Sequence, residues 1–131
     1  MKIKLVSIMV DDQQRALEFY TQVLGFVKKH DVPAGGARWI TVVSPQGAAD
    51  VELVLEPNAH PAAAAFQAAI MKDGIPATAF ESEDIHTECA RLKERGVLFT
   101  MEPTAAGPVT LAIFSDTCGN LIQIYQPTPG A

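Results

Sequence analysis

The sequence predicts an α+β fold in which a strand-helix-strand-strand-strand unit, written βαβββ, occurs twice within a single domain. The first observation is length, since 131 residues suffice for one domain but not for two independent ones. The second is a repeated pair of helix signals, because Asp12 and Gly25 stand thirteen residues apart and Asp84 and Gly96 stand twelve apart. The third is that each half ends on an apolar strand followed by proline. We therefore expect an internal duplication.

The first copy begins with a strand that is apolar on both faces except at Lys4 and Ser7. Its helix begins at Asp11 or Asp12, either of which can cap the N-terminus, and runs to about Leu24 before Gly25. Three further strands follow, separated by stretches rich in Pro and Gly. The strands of this copy are expected at 3–10, 26–31, 38–44 and 50–56, with breaks at 33–36 and 45–47.

A linker with its own helix follows, at about 61–72, because Pro61 suits a first helical turn and Gly74 supplies a stop. The second copy repeats the order of the first. Its helix begins at residues 83–84, carries an apolar stripe and ends at Gly96. Its strands are expected at 77–81, from 97, at 109–114 and at 121–125, with a break at 103–108. The modules are therefore expected at about 1–57 and 75–127, with the linker at about 58–74.

Composition excludes several function classes. The chain has a net charge of −5 and ten scattered Lys and Arg residues, so we expect neither nucleic acid nor a membrane as a partner. The N-terminal apolar run lacks a signal cleavage site, and no stretch is long enough to span a membrane, so the expected location is the cytoplasm. The two cysteines are expected to be free there.

The last strand presents a functional question. Ile122 and Ile124 alternate with Leu121, Gln123 and Tyr125, which is typical of a half-buried strand. A polar glutamine therefore lies in the middle of a strand between large side chains.

Motifs in both halves resemble one known family. The residues that carry the resemblance are Val10-Asp-Asp12, Ala16-Leu-Glu-Phe-Tyr20, Val23-Leu-Gly-Phe26, Glu83-Asp-Ile85, Arg91-Leu-Lys93, Gly96-Val97, Asp116 and Gly119-Asn-Leu-Ile-Gln123. Together they resemble the vicinal oxygen chelate superfamily, which includes glyoxalase I, bleomycin-resistance proteins and extradiol dioxygenases. The resemblance implies two βαβββ modules whose curved sheets form a cup, usually completed by formation of a homodimer.

The resemblance also implies four positions that hold a divalent metal in related enzymes. They correspond to Leu5, Glu52, Ala77 and Gln123. Leucine and alanine have no lone pair to offer, and a catalytic site normally needs three or more protein ligands. We therefore expect no tightly bound metal and no other cofactor. The prolines that end the two modules suggest an offset of one residue, which would put Leu53 on the face equivalent to Gln123.

Strand parity extends these positions to a binding pocket, because residues two apart share a face of a sheet. The pocket is mostly apolar with few polar anchors, as small-molecule sites usually are. Its predicted members are Leu5, Ser7, Met9, Trp39, Thr41, Glu52, Ala77, Ala79, Gln123 and Tyr125.

Three pocket residues have alternative interpretations. Trp39 either stacks on a planar ligand or packs in the core, and Gln123 either contacts a ligand or is a polar residue satisfied at an edge or dimer contact. Glu52 is either a structural carboxylate or a ligand-directed, catalytic one. We expect its pKa to be raised if it is buried without a metal.

The remaining residues that could carry chemistry give weak signals. None of His30, His60 and His86 falls at a family ligand position, and exposed roles at helix ends are expected for the last two. Cys89 lies on the predicted buried stripe of its helix. Cys118 lies in a turn, where backbone amides could lower its pKa, but the sequence places no base beside it.

The first functional hypothesis is a dimeric protein that binds a small, partly apolar molecule without a tightly held metal, either sequestering it or transforming it through Glu52. The second is a metal-dependent lyase or isomerase of the glyoxalase I type, with Glu52 and Gln123 as ligands. A third is a dimer that acts only through its surface. The sequence does not separate binding from catalysis, and it does not identify the ligand.

Overall fold

A computed structural model describes residues 1–129 and has the predicted α+β architecture of two βαβββ modules. The chain divides into two compact units, Met1–Gln67 and a second that begins at Ala68, and the boundary lies inside the linker helix. Within residues 1–129 no helix is long and apolar enough to cross a membrane.

The first unit contains one four-stranded sheet and one helix packed on it. The strands are β1 (Leu5–Val10), β2 (Val27–Ala34), β3 (Ala37–Val43) and β4 (Glu52–Pro57), in the spatial order β1-β4-β3-β2. β1 is parallel to β4, and the other neighbours are antiparallel. Helix α1 (Gln13–Glu18) continues directly into a π-helical segment, Phe19–Val23.

The predicted helix signals are confirmed. Asp12 is the N-cap, and its carboxylate accepts a hydrogen bond from the amide of Arg15 at 3.0 Å. Gly25 follows the π-helical segment with φ of 88°, a conformation that glycine adopts without steric cost. The sequence did not indicate the π-helical segment, in which the Thr21 hydroxyl donates to the carbonyl of Leu17 at 2.6 Å.

The core of the first unit lies between the helical segment and the sheet. Its side chains come from the predicted apolar positions, each at most 9% exposed: Ile8, Val10, Ala16, Leu17, Phe19, Tyr20, Ile40, Val42, Leu53 and Leu55. Gln13 ties the start of α1 to the sheet, because its side-chain amide donates to the carbonyls of Arg38 and Leu55 at 2.6 and 2.9 Å.

Helix α2 (Pro61–Lys72) confirms the predicted linker helix. The second unit then repeats the first, with α3 (Ile85–Glu94) packed on a sheet of order β5-β8-β7-β6. Its strands are β5 (Thr78–Glu81), β6 (Phe99–Ala106), β7 (Val109–Ser115) and β8 (Leu121–Pro127). β5 is parallel to β8, as β1 is to β4.

The two predicted breaks, at 33–36 and 103–108, contain the observed turns, but their first prolines do not interrupt the strands. Pro33 lies inside β2 and Pro103 lies inside β6, and the turns come later, at residues 35–36 and 107–108. Both strands are at the edge of their sheets, where a residue without an N–H can be accommodated because one side of the strand has no ladder partner. The smaller differences, such as β1 beginning at Leu5 rather than residue 3, concern strand ends only.

The turn before β8 is organised by a buried carboxylate. Asp116 is 0% exposed and accepts hydrogen bonds from the backbone amides of Cys118 and Asn120 and from the Asn120 side chain, at 2.7, 3.0 and 2.8 Å. Thr117 and Gly119 both have positive φ, a backbone conformation that tight turns use.

Candidate functional site

The first sheet has one face toward α1 and one face away from it, which we call the distal face. In β1, Ile8 and Val10 are buried toward the helix, whereas Leu5, Ser7 and Met9 are exposed on the distal face. The strand register extends this face to β4 and β3. The distal face is formed by Leu5, Ser7, Met9, His30, Val32, Trp39, Thr41, Glu52 and Val54. All six predicted pocket residues of this unit lie on it, namely Leu5, Ser7, Met9, Trp39, Thr41 and Glu52.

Glu52 is the centre of a polar cluster on the distal face. Its carboxylate accepts a hydrogen bond from the Thr41 hydroxyl at 2.8 Å. The Lys29 ammonium lies 3.6 Å from Oε2, and His30 Nε2 lies 3.5 Å from Oε1. Glu52 is only 8% exposed and Thr41 is fully buried, so this carboxylate is held by three side chains rather than by water.

A β-bulge explains why two consecutive residues of β2 reach the same carboxylate. Lys28 pairs with Val42 and His30 pairs with Thr41, so Lys29 is an extra residue with no partner of its own in β3. Without the bulge, neighbouring side chains would point to opposite faces. The bulge therefore allows both Lys29 and His30 to approach Glu52.

The pKa of Glu52 is lowered from its ordinary value of 4.5. The largest cause is the hydrogen bond from Thr41; burial opposes it, and the charges of Lys29 and His30 add to the lowering. The expectation of a raised pKa was wrong, because it assumed burial without compensating partners. Glu52 is thus ionised and weakly basic at neutral pH, which argues against a role as the general base of a reaction.

The family's metal chemistry does not fit the residues present. Leu5 lies directly opposite Glu52 in the neighbouring strand, and at 51% exposure it presents only hydrocarbon there. Ala77, which directly precedes β5, likewise has no atom that could bind a metal. In the part of the chain that the structure describes, no three His, Cys, Asp or Glu residues are grouped so as to hold a metal ion. Glu52 is also already engaged by the Thr41 hydroxyl and faced by Lys29, so a metal would have to compete with an ammonium for it.

Gln123 and Tyr125 share one face of the second sheet, as predicted from alternation. Ile122 and Ile124, between them, are 0% and 5% exposed. Gln123 lies opposite Ala79 in β5 and opposite Ile113 in β7.

The register corrects the predicted correspondence between the modules. Glu52 opens β4 as Leu121 opens β8, and Gln123 lies opposite Ile113 where Val54 lies opposite Thr41. Leu53 is therefore not on the face equivalent to Gln123. It lies opposite Val42 and is only 9% exposed.

Trp39 lies on the distal face, opposite the half-exposed Val32, and is itself only partly buried. Its neighbour Arg38 points to the other side, where its guanidinium contacts Asp31 at 2.7 Å. Trp39 is thus outside the core between sheet and helix, which favours contact with a ligand over packing in that core.

The remaining histidine and cysteine candidates lie at helix ends or in the core, where structural roles account for them. His60 accepts a hydrogen bond from the amide of Ala62 at the start of α2, and His86 lies in the first turn of α3. Cys118 is 0% exposed, so the turn does not present its thiol to solvent. Burial raises the pKa of the Cys89 thiol to about 11. Sequence reasoning missed Lys29 and His30, since only pairing across β2 and β3 brings them to Glu52.

Comparison with known proteins adds independent information. A sequence model of the Glyoxalase/Bleomycin resistance protein/Dioxygenase superfamily matches residues 2–124. YurT of Bacillus subtilis (strain 168) is 60% identical over 126 residues, covering 96% of this chain and 99% of YurT. The solved structure of UcmS2 is 33% identical with a TM-score of 0.81, covering 95% of this chain and 97% of UcmS2. TnmS3, described as an antibiotic binding protein from Streptomyces sp. CB03234, is 32% identical with a TM-score of 0.78, covering 98% of this chain and 97% of TnmS3.

Proposed function

The chain belongs to the Glyoxalase/Bleomycin resistance protein/Dioxygenase superfamily, and from that premise we propose that it binds a small, partly apolar organic molecule on the distal face of its first sheet, without a tightly bound metal. The observation that carries the proposal is the composition of this face. Exposed apolar side chains surround one buried, fully partnered carboxylate, which is a mixture typical of small-molecule sites.

The apolar part of the face has the exposure that a ligand would cover. Leu5 is 51% exposed, Met9 is 36% exposed and Val32 is 49% exposed. Trp39 adds a flat aromatic surface beside Val32. Burial of such side chains by a ligand is favourable at about 25 cal/mol per Å² of apolar surface.

The relatives support binding over metal-dependent catalysis. TnmS3 is described as an antibiotic binding protein, and it resembles this chain over nearly its whole length. The lowered pKa of Glu52 and the hydrocarbon at Leu5 and Ala77 favour the same interpretation. The metal-dependent lyase or isomerase of the glyoxalase I type stays an alternative that the experiments below test.

Trp39 makes a direct binding test possible, because it is the only tryptophan in the sequence. We expect a saturable change in its fluorescence when the protein is titrated with members of a panel of aromatic antibiotics and bleomycin. Leu5→Arg should abolish that change, since a charged side chain would project across the distal face. Leu98→Arg is the matched control at a leucine that is 74% exposed in the second unit, and it should bind as the wild type does. Absence of saturable binding across the panel, or equal loss in both variants, would contradict the proposal.

The metal-free part of the proposal has its own measurement. After dialysis, elemental analysis of the purified protein should find no stoichiometric Ni²⁺, Zn²⁺, Mn²⁺ or Fe²⁺. Added divalent metal should produce no turnover of a thiol-methylglyoxal adduct. Retained metal, or metal-dependent turnover that Glu52→Ala abolishes, would favour the lyase or isomerase instead.

Two further parts of the proposal follow the family and the composition. We include a homodimer, because members of this superfamily commonly dimerise, and light scattering after size-exclusion chromatography measures the mass. We also include a cytoplasmic location, because the N-terminal apolar run lacks a signal cleavage site. Fractionation of cells that carry the tagged protein tests this location.

A further inference from the structure

In the cluster around Glu52, the carboxylate is buried, whereas the nitrogen atoms of Lys29 and His30 belong to side chains that are more exposed to solvent. The Glu52 side chain is 11% exposed, whereas those of Lys29 and His30 are 38% and 48% exposed. A molecule that approaches the distal face therefore meets the ammonium and the imidazole before it meets the carboxylate.

Lys29 and His30 keep capacity for a second partner while they contact Glu52. Their distances to the carboxylate, 3.6 and 3.5 Å, are longer than the 2.7 to 3.2 Å that is usual for N–H···O hydrogen bonds. An ammonium group carries three donors, and a protonated imidazole carries two. Each group can thus donate outward to an anion while its charge is still balanced from behind by Glu52.

The charges of the cluster favour an anionic group over a cationic one. Glu52 contributes one negative charge and Lys29 one positive charge, and His30 adds a second positive charge when it is protonated. The cluster is thus neutral or positive, although the whole chain carries a net charge of −5. Glu56, opposite Met9, adds a carboxylate toward the other end of the distal face.

We propose that the molecule bound on the distal face carries an acidic group, a carboxylate or an ionised phenol, and that the Lys29 ammonium and the His30 imidazole bind that group. Glu52 and Thr41 act as positioning residues that hold the two cations at the bulge. This inference rests on the proposed function and adds the chemical class of its ligand. A hydrogen bond between oppositely charged groups is stronger than one between neutral groups, so Lys29 and His30 would select the acid over its neutral analogue.

The test compares two probes of the same size and shape, 2-naphthoate and the uncharged 2-naphthamide, by isothermal titration calorimetry at neutral pH. We expect the wild-type protein to bind naphthoate about tenfold more tightly than naphthamide, as one charge-assisted contact predicts. Lys29→Met should remove most of that preference. Lys29→Arg should retain the preference, and His30→Gln should reduce it.

Lys28→Met is the matched control, because it removes the same charge from the preceding residue, which pairs with the buried Val42 instead of facing Glu52. It should keep the tenfold preference; an equal effect of Lys28→Met and Lys29→Met would overturn the inference by showing a general charge effect. Equal binding of the two probes to the wild-type protein would overturn the inference and leave the proposed function intact. If neither probe binds and the antibiotic panel also gives no Trp39 signal, the proposed function fails and the inference fails with it.

Discussion

The Glu52 carboxylate is almost excluded from solvent and yet keeps its charge, because a hydroxyl, an ammonium and an imidazole surround it in place of water. The direction of its pKa shift therefore depends on Thr41, Lys29 and His30, which are close to it in space but ten or more positions away in sequence. For a carboxylate, depth of burial alone predicts the wrong sign in such a case.

Replacement of Glu52 by Gln should lower stability in a pH-dependent manner. A carboxylate whose folded pKa lies below its unfolded value stabilises the protein above the unfolded pKa, and this stabilisation is lost as pH falls through the folded pKa. We therefore expect Glu52→Gln to have a lower Tm than the wild type at pH 7, with the difference shrinking once the pH falls below the ordinary carboxylate value of 4.5 and vanishing only below the still lower folded pKa.

Thermal unfolding of both proteins from acid to neutral pH measures this difference. Glu94→Gln, at an exposed position near the end of α3, is the control and should show no such pH dependence. A difference between wild type and Glu52→Gln that grows toward acid pH would contradict the assigned direction.

At the scale of elements, helix α3 shows how a short periodic pattern determines both structure and packing. Ile85, Cys89 and Leu92 follow one another at spacings of four and three residues and are 1%, 2% and 1% exposed. Asp84 caps the helix start, and Gly96 follows its end with φ of 83°. These local signals suffice for a helix with one buried face, because the sheet has a complementary apolar side.

Leu92 in this helix and Leu98 shortly after it provide a matched pair for a packing test. Leu92→Ala should destabilise the protein by about 3 kcal/mol, since it removes a fully buried side chain and leaves a cavity. Leu98→Ala, at a side chain that is 74% exposed, should change the free energy of unfolding by less than about 0.5 kcal/mol. Urea unfolding measures both values, and similar losses for the two variants would show that α3 is not packed as described.

At the scale of the whole molecule, the two copies of the duplicated unit share one strand order but carry different side chains at equivalent positions. Both edge strands have a bulge at the same place, so Met101 in the second unit lies opposite Ile113 as His30 lies opposite Thr41 in the first. Leu121 opens β8 where Glu52 opens β4. The second unit thus has Leu121, Ile113 and Met101 where the polar cluster has Glu52, Thr41 and His30, which makes the cluster a property of the first unit.

The two cysteines report on opening of the second unit, to which both belong. Cys89 and Cys118 are 2% and 0% exposed, and the pKa of Cys89 is raised to about 11, so at pH 8 its thiol stays protonated and unreactive. We expect a disulfide reagent such as DTNB to label neither thiol rapidly in the native protein and to label both in concentrated guanidinium chloride. Rapid labelling of one thiol under native conditions would show that its surroundings open without global unfolding, and a Cys118→Ser variant would identify which thiol reacts.

The sequence by itself determined the duplicated βαβββ order, the helix starts at residues 11–12 and 83–84, and the face of each strand that carries Glu52 and Gln123. Those features depend on local rules, namely the periods of helix and strand and the backbone preferences of Asp and Gly. The sequence ended β2 and β6 too early, at Pro33 and Pro103, because whether a proline breaks a strand depends on whether that strand lies at the edge of a sheet.

Only the tertiary structure decided that Lys29 and His30 meet Glu52, that Val54 rather than Leu53 corresponds to Gln123, and that the pKa of Glu52 falls. Each of these depends on the register between strands and on a bulge of one residue. A shift of one residue moves a side chain to the opposite face of the sheet, and the spacing of residues along the chain does not specify that register.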